Sequence, residues 1–476
     1  MEIQKHMPRN ALFIFRRDFR IKDNKGLNFA IKNCDAVLPI FIFTPEQIGK
    51  QNNFRSNNAI QFMIESLKDV ETRLKEIGSK LHIFQGQNNK VITQLIQEWD
   101  ITDIVFNQDY TPYARKRDTE IDNLAKKVGV KVHMIEDYLL ASMGSYLKPG
   151  SDKLPYTIYT PFKNNIINII VAGKQIDKPK TANQVEMKNK LIKRKSSIEK
   201  GYIKYLVNNK IVYRGGRKEG KKNFSKIKKL KDYNDNRNTA SINTSLMSAY
   251  IKFGCFSIRE IYWEIKNKLG MDNQLISQLI WREFYFYITY YFPKVLKGKN
   301  YNSKYDEIKW NSGVSNFVKW CQGETGYPIV DAGMKELNTT GYMHNRLRLI
   351  TANFMNRILG YDWRLGEKYY AQQLVDYDPS VNNGNWQWIA STGVDPKPYF
   401  QRLFNPWLQS KKADLECAYI KKWLPQLKDI PNKQLHQWDK YYQDYNLDEI
   451  KYLKPIVEYE KGRQNSISMY QKVLKK

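Results

Sequence analysis

A chain of 476 residues is long enough for about two to four domains, and a hydrophobic fraction of 42% supports a sizeable core. Lys and Arg number 78 against 48 Asp and Glu, a formal net charge of +30, which points to a polyanionic partner: nucleic acid or an anionic membrane surface. Cys34, Cys255, Cys321 and Cys417 form no CxxC pair and the five histidines do not cluster, which argues against a metal or iron–sulfur site. A reduced intracellular setting is the expectation, with no run of about 18 apolar residues to span a membrane and no long apolar signal core in MEIQKHMPRN.

The first third alternates two periods. Apolar runs at Ala11–Phe15, Ala36–Phe43, Lys80–Phe84, Asp103–Phe106 and Val130–Ile135 predict strands, with helical patterns such as Asn58–Ile77 and Ala114–Val128 between them. Repeated strand–helix–strand units imply a doubly wound parallel sheet with helices on both faces. No GxGxxG follows the first strand; it runs instead into Arg16-Arg17-Asp18-Phe19-Arg20. From Glu136 to Lys200 the pattern weakens under Pro149, Gly150, Pro155, Pro161, Gly173 and Pro179, and predicts a long linker laid over the surface, with a basic run at Lys188–Lys195. The Lys-rich stretch from Tyr213 to Asp232 reads as a solvated face. From about Ser245 onward the chain reads helical, including Gln274–Phe292 and a helix from about His344 to Leu359. The division expected is an α/β domain over 1–137, a linker over 138–205 and an all-helical domain over 206–476.

Three constellations stand out. Gln278, Trp281, Arg282 and Tyr285 are spaced to share one helix face, where an amide, an indole, a guanidinium and a phenol suit a flat, partly anionic ligand. A core helix whose indole finds its own hydrogen-bond partner reads equally well. Asn345, Arg348 and Leu349 share another face, with Arg346 pointing elsewhere and able to reach a phosphate. Asp376-Tyr377-Asp378 is followed by Asn382-Asn383-Gly384-Asn385-Trp386-Gln387-Trp388, a density of Asp, Asn and Trp beyond that of an ordinary turn.

Six blocks carry a resemblance. Arg16–Asn24 (RRDFRIKDN), Thr244–Gly254, Trp281–Tyr285 (WREFY), Gly323–Gly333 (GETGYPIVDAG), Tyr342–Arg348 (YMHNRLR) and Asn382–Gly393 (NNGNWQWIASTG) run in family order across nearly the whole chain, and the sequence resembles the cryptochrome/photolyase family. The resemblance implies an N-terminal α/β domain, a long linker and a C-terminal helical domain that holds FAD, active as FADH−. It places Tyr233, Thr244, Ser245, Leu246, Met247 and Ser248 on the pyrophosphate side, with Gln278, Arg282 and Tyr285 along the next side and Asn345 within reach. Arg348 and Asp376 would be an ion pair beside the isoalloxazine, and Asp378 an acceptor at its edge. Asn382 would face N5, where an amide accepts the N5–H of reduced flavin but supplies no proton; that favours repair over signalling. Trp310, Trp363 and Trp386 match the family's tryptophan relay.

The implied substrate is UV-damaged DNA, without an obligate protein partner and with the chain a monomer. Trp281 and Trp388 would pack against a flipped-out pyrimidine dimer, Asn345 and Gln278 would meet the pyrimidine edge beside Leu349, and Arg237, Arg282 and Arg346 would hold phosphates. Gln278 stands where many cyclobutane-dimer photolyases have Glu and is common in the six-four branch; against that, Asn345 stands where six-four enzymes place a second histidine, so a cyclobutane-dimer photolyase is expected, with a six-four enzyme, a cryptochrome photoreceptor and a flavin-free DNA-binding module as alternatives. Leu349 replaces a Met of some relatives. Ala114 stands near the slot where folate-binding relatives carry Glu, which disfavours folate and leaves a flavin, a deazaflavin or no antenna. Lys193-Arg194-Lys195 fits a nuclear signal or plain surface.

Overall fold

The computed structural model describes residues 8–150, 154–171, 195–242, 244–395 and 398–474. The basic run at Lys188–Lys195 lies outside these residues except for Lys195. Five strands, β1 (Asn10–Ile14), β2 (Ala36–Phe43), β3 (His82–Gln85), β4 (Asp103–Asn107) and β5 (Lys131–Ile135), form one parallel sheet in the order β3-β2-β1-β4-β5. Each of the five expected runs is a strand, shifted by no more than a residue or two at its ends. Side chains alternate between two cores: Leu12, Ile14, Leu38 and Ile40 face the helices Asn88–Trp99 and Pro112–Lys127, while Ala11, Phe13, Val37 and Phe41 face Lys25–Asn33 and Asn57–Glu76. Local chemistry starts these helices. Asn24, Ser56 and Thr111 each accept a backbone N–H three residues on, at 3.1, 3.1 and 3.2 Å, and Pro112 opens its helix two residues before the apolar pattern does.

The second of these cores does not stop at the sheet. It continues through Tyr138, Leu140, Tyr146, Phe162 and Ile166 to Phe253, Phe256, Ile280 and Phe284 in the helical part. The expected surface linker is therefore corrected over its first half: Tyr146, Phe162 and Ile166 are fully buried, and residues Tyr159–Val171 form a helix packed on Gln274–Tyr291. Proline and glycine punctuation disguised a segment held by aromatic anchors. The stretch from Tyr213 to Asp232 is likewise only partly solvated. Tyr213 is fully buried, and Arg217 is buried in a two-pronged pair with Glu260, Nη1 at 2.7 Å from Oε2.

Residues 16–24 tie the halves together. Arg17 bridges Asp109, at 3.3 Å, and Asp378 of the helical part. Arg20 pairs with Asp137, which also receives Arg259 Nη2 at 2.7 Å, while Arg259 Nε reaches Asp23 at 3.0 Å. Burial alone would raise the Asp137 carboxyl, but the two guanidinium groups hold it down at about 2. Gly254, at φ +64, presses on the Arg17 backbone: a Cβ there would sit 2.3 Å from the Arg17 carbonyl oxygen, so only glycine permits the approach. A separate core of Trp320, Trp363, Trp386, Leu347 and Met355 lies wholly in the helical part. Among the described residues no helix is long and apolar enough to cross a membrane, and no group of three or more His, Cys, Asp or Glu side chains could hold a metal ion.

Candidate functional site

Three helices carry most of the expected residues: Gln274–Tyr291, Asn345–Asn353 and Pro379–Ile389. Asn273 caps the first and His344 the second. Asp378 caps the third, its Oδ1 accepting the Ser380 and Val381 N–H groups at 3.0 and 3.2 Å, with Pro379 at the first helical position. Gly384 lets the first and third helices meet, since a Cβ there would lie 2.1 Å from the Tyr285 ring.

The expected ion pair is present. Arg348 Nη2 lies 2.9 Å from Asp376 Oδ2, and Arg348 Nε donates to the Met343 carbonyl at 2.8 Å. Burial would lower the Arg348 guanidinium, but Asp376 outweighs it and holds the charge on. Asp376 Oδ1 is buried with no hydrogen-bond partner. A buried carboxylate oxygen left without a donor is costly, so the pair is built to receive one. From it a continuous chain of contacts leads to the expected pyrophosphate residues: Tyr342 lies 6.0 Å from the Arg348 guanidinium, packs on Tyr213 at 5.6 Å, and Tyr213 meets the Ser248 hydroxyl at 2.9 Å. Thr244 is a neighbour that partly counters the rise burial imposes on the Tyr342 hydroxyl. Leu246 sits at φ +49, a conformation unfavourable for a branched side chain and found where a backbone is shaped for a ligand. Ser245 and Tyr233 are half-buried nearby in sequence, and Met247 is buried.

Asn382 is buried, and its Nδ2 donates to the Glu367 carbonyl at 3.0 Å, which leaves the amide oxygen as the atom offered to a ligand. Among the tryptophans, Trp386 is 2% exposed, Trp363 is fully buried with Nε1 on Asn300 Oδ1 at 2.9 Å, and Trp310 is half-buried. Trp281 and Trp388 are both half-buried. Trp281 stacks on Tyr159 with centroids 3.6 Å apart and planes 5° from parallel; Trp388 lies 4.0 Å from the Arg402 guanidinium. Gln278 and Leu349 are half-buried and Asn345 is exposed. Arg346 bonds Asn238, and its guanidinium is lowered by burial and then by neighbouring Arg237, two like charges side by side as at an anion site.

One residue differs from the sequence reading. Arg282 turns inward: Nη1 donates to the Tyr138 carbonyl at 2.9 Å and meets Glu283 at 3.0 Å, and its side chain is only 13% exposed, which takes it away from DNA phosphates. Asp378 serves the fold as well: Oδ1 caps its helix and Oδ2 accepts a single bond, from Arg17, which leaves Oδ2 a lone pair for a flavin edge. Sequence reasoning did not single out Arg17, Tyr159, Arg402 or Lys252. Lys252 lies 3.4 Å from the Phe253 ring centroid, and burial, then Arg17, bring its ammonium down to about 7. A lone lysine inside an otherwise apolar block was the available signal.

His344 Nδ1 accepts the Arg346 N–H at 3.2 Å, and Nε2 is buried without a partner. Burial first, then Arg348 and Arg346, hold its pKa down at about 4. The imidazole is therefore neutral at physiological pH, and since Nδ1 accepts, its one hydrogen sits on Nε2. Because the unfolded chain binds this proton near pH 6.5, folding stability should fall as pH drops from about 6.5 to about 4 and lose nothing further from this group below that. His344→Asn keeps a capping acceptor without a titrating group. Its midpoint of urea unfolding should fall less than that of the native protein between pH 7 and pH 4.5; equal falls would refute the assignment.

Sequence models of two families match the chain: one described as DNA photolyase over residues 11–180, and one described as FAD binding domain of DNA photolyase over residues 275–472. The chain is 31% identical over 473 aligned residues to a deoxyribodipyrimidine photo-lyase of Escherichia coli, spanning 96% of this chain and 97% of that protein. To a deoxyribodipyrimidine photo-lyase of Synechococcus it is 33% identical, spanning 89% of each. Among solved structures it is similar to an archaeal photolyase from Sulfolobus tokodaii with two FAD molecules (TM-score 0.82, 35% identity, 97% of this chain and all of that one). It is also similar to a cryptochrome of Synechocystis (TM-score 0.83, 25% identity, 98% of this chain and all of that one).

Proposed function

The chain belongs to the DNA photolyase family, and we propose that it splits cyclobutane pyrimidine dimers in UV-damaged DNA with light and reduced FAD. The observation that carries this reading is the pair of half-buried indoles, Trp281 and Trp388, each with one face backed by the protein. An aromatic wall held flat in this way stacks a flipped-out base at about 1–3 kcal/mol per base, which offsets the few kcal/mol of flipping.

The side chains fit FAD. Thr244, Ser245 and Ser248, with the backbone of Leu246 and Met247 and the ring of Tyr233, would hold the pyrophosphate side. Gln278 and Tyr285 would line the next side, and Arg348 with Asp376 would flank the isoalloxazine, the unpartnered Asp376 Oδ1 taking a ring N–H. The Asn382 oxygen would accept the N5–H and supplies no proton. The chemistry that reduced FAD supplies when bound is the light-driven donation of one electron to the dimer and its return. Trp386, Trp363 and Trp310 would form the relay that delivers electrons inward; the burial of the first two and the half-burial of Trp310 support that reading. Asn345 and Gln278 would bond the pyrimidine edge beside Leu349, with Arg237 and Arg346 holding the flanking phosphates. Arg282 serves the interior side of this site rather than the DNA. Neutral His344 beside Asn345 leaves no charged imidazolium there to act as an acid, which favours cyclobutane dimers over six-four lesions. The likeness to the photolyase with two FAD molecules favours a second flavin as antenna.

The test is repair of UV-irradiated oligothymidine by the flavin-reduced protein, followed by recovery of thymine absorbance. Recovery under blue light and none in darkness is expected, and denaturing the same preparation should release two flavins per chain. No recovery from flavin-loaded, fully reduced protein would overturn the lesion assignment, and a light-dependent change in partner binding without dimer loss would favour a photoreceptor.

A further inference from the structure

The backing groups of the two indoles converge on one residue. Tyr159, stacked on Trp281, anchors its hydroxyl on the Ser277 carbonyl at 3.0 Å, and its backbone N–H points to Asp395 Oδ1 at 3.4 Å. The Asp395 N–H donates to the Thr157 carbonyl at 2.9 Å. On the other side Arg402, stacked on Trp388, donates from Nη2 to the Asp395 carbonyl at 2.6 Å and from Nη1 to the carbonyl of Trp388 itself. Asp395 thus uses its N–H, its carbonyl and its carboxylate at once, two toward the Tyr159 segment and one toward Arg402. It does so at φ +54, where most side chains are strained and Asp and Asn are tolerated. Strain kept at a single loop residue that joins two binding surfaces calls for a functional reason.

We propose that Asp395 sets the separation of the two aromatic walls of the lesion pocket, and is a positioning residue for dimer recognition; this rests on the assignment of Trp281 and Trp388 to that pocket. The two indoles stand on different helices, Gln274–Tyr291 and Pro379–Ile389, so their spacing depends on what ties their backings together. Spacing matters because stacking attraction is short-ranged: a gap of about 0.5–1 Å forfeits roughly a quarter to a half of it. The tie also acts before DNA arrives, since Asp395 bonds only protein groups. A preorganised slot loses less freedom on binding than walls that must be gathered by the ligand. Flanking phosphates are held elsewhere, by Arg237 and Arg346, so affinity for undamaged DNA is independent of the tie.

Three substitutions separate the parts of this role. Asp395→Asn keeps an acceptor oxygen and tolerates the left-handed backbone; Asp395→Gly keeps the backbone and loses the acceptor; Asp395→Ala loses both. Dark binding to dimer-containing and undamaged oligonucleotides is measured alongside thermal unfolding. Asp395→Asn should bind dimer DNA within about twofold of the native protein, while Asp395→Gly and Asp395→Ala weaken it roughly tenfold at unchanged affinity for undamaged DNA. Dimer affinity within twofold of native in all three variants would overturn the proposal. So would parallel losses on both DNAs that track the melting temperature, the signature of a merely structural loop. A native protein with no preference for dimer DNA would instead remove the pocket assignment, and the tie with it.

Discussion

Arg17→Met should lower the free energy of unfolding by about 3–5 kcal/mol, the range for breaking a buried ion pair from one side. Arg17 and Asp378 have side chains 12% and 6% exposed, and Asp109 is 12% exposed. Removing the guanidinium leaves two buried carboxylates without the cation that bridges them. Burial lowers the Arg17 guanidinium and both aspartates raise it, with a net rise that reflects how firmly the charge is held. The single change is expected to reach the flavin as well, because Asp378 caps the helix that bears Asn382, Trp386 and Trp388, and the protein should retain less flavin on purification. Arg17→Lys keeps the charge but cannot span two carboxylates with a planar fork, and should lie between. Combining Arg17→Met with Asp378→Asn, which preserves a capping side chain, should be less damaging than the sum of the two by about 0.5–3 kcal/mol. Urea unfolding reads all four proteins. A loss below about 1 kcal/mol, the level of an exposed pair, would show that the bridge is open to solvent.

Trp386→Phe should cut light-driven reduction of the oxidised flavin by at least about a hundredfold, equivalent to some 2.7 kcal/mol added to the slowest electron step, while protein reduced chemically beforehand still repairs dimers. Trp386 is nine-tenths and more buried, and its ring rests directly on Gly366, where a Cβ would fall 2.1 Å from the indole. That contact fixes where the indole lies but gives phenylalanine no chemical substitute for it, since a benzene ring is far harder to oxidise. Trp310→Phe should act in the same direction on the reduction alone. Reduction at the native rate in Trp386→Phe would send the electrons by another route, and loss of repair in the chemically reduced variant would mean that the substitution damages the flavin site itself.

The sheet was legible because strands buried on both faces are near-continuous apolar runs, and each is bounded by polar or glycine-rich turns. The Arg348–Asp376 pair and the position of Asn382 were legible only through resemblance, because nothing in the spacing of an Arg and an Asp 28 residues apart requires them to meet. What stayed hidden is what depends on partners distant in the chain. Arg17 after a strand reads as surface; it is buried because Asp378, 361 residues on, comes back to it. The cap and the bridge that Asp378 also supplies stayed hidden for the same reason. Tyr159 sat in a stretch broken by prolines, and its helix showed no amphipathic period strong enough to outweigh them. The expected helix from His344 to Leu359 is continuous in outline, but its last turn, Phe354–Ile358, widens to π-helical geometry, which no residue pattern signals.

The Arg17 bridge has a consequence for how the molecule is made. The sheet's residues leave the ribosome first, yet the buried charges at the end of β1 are matched only when Arg259 and then Asp378 emerge. At about 5–20 residues per second, the 361 residues between Arg17 and Asp378 take roughly 20–70 s to synthesise. Until those residues emerge, the nascent α/β half carries Arg17 without Asp378 and, for the earlier part of the interval, Asp23 without Arg259 and an apolar face without Phe253 and Phe256. It is a stretch of time in which the half-made protein exposes charges and apolar surface that the finished one buries, and a reason for the two halves to be inherited on one chain.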